Sequence, residues 1–294
     1  MEAIPGYRLS QRLGHGGFGE VWEAVGADGS LVALKFLDCQ NKPAQVVINE
    51  IRLLMSLRQL SHPQLIELYS VHASGNYIIL SMERADGSLQ ELQRLYWEQV
   101  RTHLPPDQLC ELLGQAAEAL DFLAAQKMPG LQYGPMGIQH CDIKPSNLLL
   151  VGPSLKVADF GLCASRAANG SRKAALGTPP YSAPELYEGR LTERTDQFSL
   201  AVTYCELRTG RLPFHGPLRS RDLHRMPPLD LSRLPDKEKP ILARALEPTW
   251  FKRWPSCREF IDALREVVDT NPFPFDSQPL LQCLSSLSGR SRAG

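Results

Sequence analysis

The stretch His140-Cys141-Asp142-Ile143-Lys144-Pro145-Ser146-Asn147 sets a carboxylate, an ammonium and a carboxamide at fixed spacing, directly before the apolar run Leu148-Leu149-Leu150-Val151. Polar groups pressed against a strand destined for the core need partners or a task, because burying them alone is costly. Toward the C-terminus, Leu155-Lys156-Val157-Ala158 reads as a second short strand, and Asp159-Phe160-Gly161 follows it. Gly177-Thr178-Pro179-Pro180-Tyr181-Ser182-Ala183-Pro184-Glu185 comes at a loop's distance after that. One acidic turn can arise by chance. All three pieces in this order do not.

Toward the N-terminus, Leu13-Gly14-His15-Gly16-Gly17-Phe18-Gly19-Glu20-Val21 contains Gly-x-Gly-x-x-Gly. Glycines let backbone N–H groups close over phosphate oxygens without Cβ obstruction, although the pattern alone is also that of a glycine-rich hairpin. The next element is strand-like, which excludes a dinucleotide fingerprint, where a helix must follow. Lys35 lies in the apolar strand Val32-Ala33-Leu34-Lys35, where a lone charge is expensive. The helical spacing of Val47, Ile48, Ile51, Leu54 and Met55 places Glu50 on the apolar side of the next element. A Lys35–Glu50 ion pair is therefore expected.

The composition agrees with a globular chain. Of 294 residues, 43% are hydrophobic and 22% charged, too apolar for disorder. Lys+Arg and Asp+Glu both number 32, a balance that argues against nucleic acid as the main partner. No apolar run approaches the ~18 residues of a membrane span, and the start lacks the basic and apolar regions of a signal peptide. Seven cysteines without Cys-x-x-Cys read as scattered thiols of a reducing, cytoplasmic setting. Strand-like segments fill the first third of the chain. Helical periodicity takes over after Asp86-Gly87-Ser88, notably from Pro106 and over residues 197–208, 241–245 and 260–268. Prolines keep residues 213–240 loop-like, and the Pro- and Ser-rich tail, 269–294, is expected to be weakly ordered.

These motifs resemble the eukaryotic-like (Hanks-type) serine/threonine protein kinase family, and the chain is expected to be a bacterial member of it. The resemblance covers residues 7 to 268. It implies an α+β bilobal fold: an antiparallel N-lobe sheet with one helix (about 1–84) and a mainly helical C-lobe (about 85–268). It also implies ATP with Mg²⁺ (or Mn²⁺), and protein substrates. By the same resemblance, Asp142 orients the acceptor hydroxyl and takes its proton, Lys144 stabilises charge on the γ-phosphoryl, and Lys35 held by Glu50 neutralises the α/β-phosphates. Asn147 and Asp159 would be metal ligands. ATP would contact Leu13, Gly14, Gly16, Gly17, Phe18, Gly19 and Val21, then Ala33, the gatekeeper Met82, the hinge residues Glu83 and Ala85, and Leu149. Phe160, Gly161, Thr178 and Glu185 would belong to the activation segment, with Asp196 holding the catalytic-loop backbone, Arg253 pairing with Glu185, and His140 bracing Phe160.

Three departures from the family pattern stand out. Cys141 replaces the usual arginine that receives an activation-loop phosphate, and alanine stands four residues before Thr178, so activity should not need that phosphate. Residues 128–137 look like an insertion, and the proline-dense stretch leaves little room for a long docking helix. Two rival functions share parts of this pattern: a pseudokinase scaffold and a small-molecule phosphotransferase. Lys144, Asp159-Phe160-Gly161 and Ala183-Pro184-Glu185 favour a protein substrate.

Overall fold

In the computed structural model, the described residues are 4, 6–16, 19–126, 137–160, 177–214, 227–268, 282–283 and 285–287. Five strands form the upper sheet: β1 (Tyr7–Gly16), β2 (Gly19–Gly26), β3 (Leu31–Asp38), β4 (Leu68–Ser74) and β5 (Tyr77–Glu83). Their order is β1-β2-β3-β5-β4, every pair antiparallel. The fourteen-residue helix α1 (Ala44–Leu57) follows β3 and turns Glu50, Leu53, Leu54 and Leu57 inward. Gly19 shows why glycine is needed where β2 starts: with φ at +122°, an added Cβ would lie 1.8 Å from the Phe36 carbonyl oxygen.

After β5 the chain crosses to a helical lobe. A two-residue strand, β6 (Gly87–Ser88), leads into α2 (Leu89–Val100). Ser88 and Glu91 form a reciprocal cap there, the Ser88 hydroxyl accepting from the Glu91 N–H and the Glu91 carboxylate accepting from the Ser88 N–H. Pro106 occupies the first turn of α3 (Pro106–Ala125), where its missing N–H costs nothing. The strands β7 (Leu148–Val151) and β8 (Ser154–Val157) make a hairpin that pairs with β6. The remaining helices are α4 (Pro184–Tyr187), α5 (Thr195–Thr209), α6 (Lys239–Ala245) and α7 (Cys257–Val267). The α5 helix is buried nearly all round, from Thr195 to Cys205 without a break. It packs against α3, α6 and α7.

The bilobal α+β expectation holds, with Arg84 at the junction. Of the tail expected to be weakly ordered, residues 282–283 and 285–287 are among those described. They are helical, Cys283 and Leu287 are buried, and the Cys283 thiol donates to Gln99 Oε1 at 3.1 Å. Leu287 packs so closely on Gly87 that a Cβ there would stand 2.9 Å from its Cδ2 atom. The groove beside α2 supplies an apolar contact that a Pro/Ser-rich composition does not announce. The expected insertion lies outside the described residues except for Gly137, and the proline-dense stretch is described at 213–214 and 227–240. No helix among the described residues is long and apolar enough to cross a membrane.

Candidate active site

The catalytic-loop candidate sits between α3 and β7, and its geometry is imposed from below. Asp196, in the first turn of α5, accepts the His140 N–H at 2.6 Å and the Cys141 N–H at 2.8 Å. Burial pushes the Asp196 carboxyl up, against the pull of His140 and these two backbone donors. Cys141 is held in the left-handed region at φ 68°, and Asp159 at φ 71°. Only one other non-glycine residue among those described has positive φ, so backbone strain gathers at this site.

Asp142, 2% exposed, faces four donors. Its Oδ1 accepts the Thr178 N–H at 2.9 Å and the Thr178 hydroxyl at 2.7 Å. Its Oδ2 accepts Asn147 Nδ2 at 2.9 Å and Lys144 Nζ at 2.9 Å. Lys144 Nζ also donates to Thr178 Oγ1 at 2.6 Å, so one ammonium spans the carboxylate and the hydroxyl. Gly177 makes this approach possible: at φ 74°, a Cβ there would lie 2.4 Å from the Cys141 carbonyl oxygen. Asn147 gives its second amide hydrogen to the Asp142 carbonyl at 2.8 Å, which leaves its carboxamide oxygen as the atom to offer a cation.

Backbone links carry Asp159 to the same place. Ala158 donates to the Asn147 carbonyl at 3.0 Å, and its own carbonyl lies 2.9 Å from His140 Nε2. The His140 and Phe160 rings meet edge to face with centroids 5.3 Å apart. Asn147, bonded to Asp142, offers a carboxamide oxygen, and Asp159, one residue after Ala158, offers a carboxylate. That donor set suits a hard divalent cation of the magnesium class.

Lys35 departs from expectation. Its ammonium is 2.6 Å from Asp159 Oδ1, not on Glu50. The Glu50 carboxylate instead holds Lys42 Nζ at 2.8 Å. Glu50 does face inward as its helical position requires, being 3% exposed, but Lys42 in the β3–α1 connection reaches it first.

The remaining candidates lie on the upper strands, on the segment joining the lobes, or in the helical lobe. Val21 pairs with Lys35 across β2 and β3, and Ala33 with Met82 across β3 and β5, which puts Ala33 and the gatekeeper candidate side by side. Glu83 ends β5, Ala85 follows it, and Leu149 lies on β7 opposite Ser88. Leu13, Gly14 and Gly16 belong to β1, while Gly17, Phe18 and Gly161 lie outside the described residues. Arg253 and Glu185 form a two-pronged pair, both contacts 2.8 Å and both side chains almost fully buried. Polar groups that the motifs did not single out complete the frame: Thr192 and Thr195 donate to Glu185, and Arg84 reaches Glu23 at 2.7 Å. A buried glutamate on a strand, such as Glu23, is the one signal that could have drawn attention to the last pair.

The fold and this constellation together define a phosphotransferase scaffold, and the comparisons say which one. The profile of the protein kinase domain family matches residues 7–269, and the chain belongs to that family. It is 30% identical to CBL-interacting protein kinase 4 of Oryza sativa subsp. japonica, over 93% of this chain and 63% of that protein. It is 34% identical to the calcium/calmodulin-dependent protein kinase type 1B of Homo sapiens, over 71% of this chain and 58% of that protein. Against Aurora kinase B of Mus musculus the identity is 30%, over 86% and 71% respectively. The chain spans roughly half to two-thirds of the first curated relatives it matches.

Proposed function

We propose that this chain is an ATP-dependent serine/threonine protein kinase that needs no phosphate in its activation segment. The observation that carries the reading is the four-donor cage around Asp142, with Lys144 bridging Asp142 and Thr178. Phosphoryl transfer asks the protein for alignment and charge neutralisation more than for covalent help. In this cage the Asp142 carboxylate is aimed by its four donors, so that an incoming hydroxyl exchanges for one of them and passes its proton to the carboxylate. The hydroxyl oxygen bonds to the γ-phosphorus as the β,γ-bridging P–O bond breaks, and ADP leaves. Lys144 stands where charge develops on the transferred group. Lys35 has the reach and burial to meet the α/β-phosphates, exchanging Asp159 for them.

Asn147 and Asp159 would hold the divalent ion, Mg²⁺ or Mn²⁺, which would neutralise phosphate charge when bound. The purine would lie between Val21, Ala33 and Leu149, against the backbone of Glu83 and Ala85. Serine and threonine are favoured over tyrosine because Thr178 and Lys144 leave a shallow floor beside Asp142, which a short acceptor side chain must approach closely. Protein substrates are supported by the family relatives and by the buried Glu185–Arg253 pair, which fixes the segment on which a polypeptide would rest.

Independence from activation-segment phosphate is supported by Cys141, which is buried and brings no cation to the place where arginine usually stands. Residues 161–176, with Ser165 and Ser171, lie outside those described. Burial raises the Cys110 thiol to about 12 and raises Cys205 and Cys257 as well, leaving these core thiols inert.

The test is transfer of labelled γ-phosphate from ATP to a generic protein substrate with Mg²⁺, followed by phosphoamino-acid analysis. Phosphoserine and phosphothreonine are expected, and phosphatase-treated enzyme and the Ser165→Ala/Ser171→Ala variant should keep the rate within tenfold. Mainly phosphotyrosine, or no transfer at all, overturns the reading.

A further inference from the structure

Glu83-Arg84-Ala85-Asp86 joins the two lobes, and three of its four side chains are tied down in different directions. Glu83 Oε2 accepts Lys156 Nζ at 2.8 Å, from β8 of the lower lobe, and the Glu67 N–H at 3.2 Å. Arg84 Nε donates to Glu23 Oε2 at 2.7 Å, on β2 of the upper sheet. Its NH1 group lies 3.8 Å from Asp86 Oδ1. Asp86 accepts the Gly152 N–H at 2.8 Å, in the β7–β8 turn, and its own N–H donates to the Leu150 carbonyl at 2.8 Å. Arg84 therefore reaches the upper sheet, Asp86 the β7–β8 turn, and Glu83 both β8 and the segment ahead of β4.

The upward tie is buried. Glu23 is 4% exposed, the Arg84 side chain 9%, and Glu23 also accepts Ser10 Oγ at 2.7 Å and Gln11 Nε2 at 3.3 Å. Burial would push the Glu23 carboxyl up, but its hydrogen bonds from Ser10, Arg84 and Gln11 and the Arg84 charge bring it below the usual range, so it is charged where it lies. A pair in this setting resists being pulled apart, because each partner would be left buried and uncompensated. Alternation along β2 puts Glu23 on the same face as Val21, the purine-contact candidate two residues earlier. The tie thus closes the hinge end of the cleft.

We propose that Arg84 and Glu23, with Lys156 on the other lobe, are positioning residues that set the angle between the lobes and with it the cleft's affinity for nucleotide. The proposal rests on the nucleotide-cleft reading above. The Arg84–Glu23 contact fixes the hinge against β2 and the Glu83–Lys156 contact fixes it against β8, so the two together resist a change in the angle between the lobes. Neither residue meets the cage around Asp142. Their loss should weaken nucleotide binding while sparing the chemical step.

The experiment titrates MgADP into the full chain by calorimetry, for wild type, Arg84→Met, Glu23→Gln/Arg84→Met and Lys156→Met, alongside KM for ATP, kcat and melting temperature. Arg84→Met should bind MgADP about tenfold more weakly and raise KM alike, with kcat within twofold. The double variant separates positioning from folding: removing the orphaned charge should return the melting temperature toward wild type while binding stays weak. Lys156→Met, which breaks a partly exposed pair, should weaken binding about threefold with an unchanged melting temperature. Binding that recovers in step with stability in the double variant, or wild-type affinity in Lys156→Met and the double variant, overturns the proposal. Wild type that binds no MgADP instead overturns the nucleotide reading, and the proposal with it.

Discussion

The ammonium of Lys42, rather than that of Lys35, lies 2.8 Å from the buried carboxylate of Glu50. Lys35 meanwhile holds Asp159 at 2.6 Å. Lys35 is therefore paired with Asp159 and Glu50 with Lys42, in place of the Lys35–Glu50 pair expected of the strand and helix positions. Lys42 is partly exposed, so water screens its end of the pair and weakens it. A modest push can thus exchange the partners. Removing the Lys42 ammonium leaves Glu50 buried with reason to recruit Lys35. Lys42→Ala should raise the initial rate of transfer by about two- to fivefold, the latter equal to ~1 kcal/mol of barrier, whereas Glu50→Gln should lower it at least tenfold. Stopped-time assays at low ATP measure both, and a Lys42→Ala rate at or below wild type would show that the pair does not compete.

Asp142 and Asp159 give the most direct test of the site. Asp142→Asn keeps the shape but loses the proton acceptor, and a missing general base typically costs ~10²–10⁴-fold. Asp159→Asn would weaken the proposed metal ligand and release Lys35, and its loss should be at least as large. Both variants should keep the wild-type circular dichroism spectrum and nearly its melting temperature. Near-normal turnover in purified Asp159→Asn would remove that residue from the metal site.

Particular residues show what could be read from the sequence and what could not. The polar set of residues 140–147 ahead of an apolar run is local, and local spacing placed Asp142, Lys144 and Asn147 together without knowledge of the fold. Glu50 was legible as inward-facing because helical periodicity determines a face. Its partner was not, since the route of the β3–α1 connection decides whether Lys42 arrives before Lys35. The Glu23–Arg84 tie spans 61 positions, and no local pattern marks either end. Cys283 and Leu287 are buried only because a groove beside α2 receives them, which composition cannot report.

The Arg253–Glu185 pair is a second place where magnitude decides. Both side chains are essentially inaccessible, and Glu185 also accepts from Thr192 and Thr195. Breaking a buried pair from one side leaves the other charge uncompensated and costs ~3–5 kcal/mol. In a domain of this size that corresponds to a melting-temperature fall on the order of 10 °C. Arg253→Met should show it by calorimetry, and Glu185→Gln/Arg253→Met should recover part of it. A fall of only one or two degrees in Arg253→Met would mean that the surrounding backbone carbonyls, not the ion pair, hold this corner.

The last prediction concerns pH. Glu206, on α5, is half-sequestered, and burial pushes its carboxyl up while the Tyr181 hydroxyl, donating to it, pulls the other way. Burial wins, so the folded value stands above the ordinary carboxylate value of 4.5. A group shifted in that direction binds its proton more tightly in the folded chain than in the unfolded one. Its contribution is therefore fully present below the unfolded value and is lost as pH rises through the folded one. In Glu206→Gln the side chain cannot ionise, yet its carboxamide oxygen still accepts from Tyr181. Wild type and variant should then be nearly equal in stability near pH 4, and the variant should gain on wild type as pH rises from about 4.5 toward 7. Urea melts of both proteins at half-unit intervals measure the difference. A gap that stays flat across the window, or that closes with rising pH, would mean that the charged carboxylate is better served by Tyr181 than burial costs it.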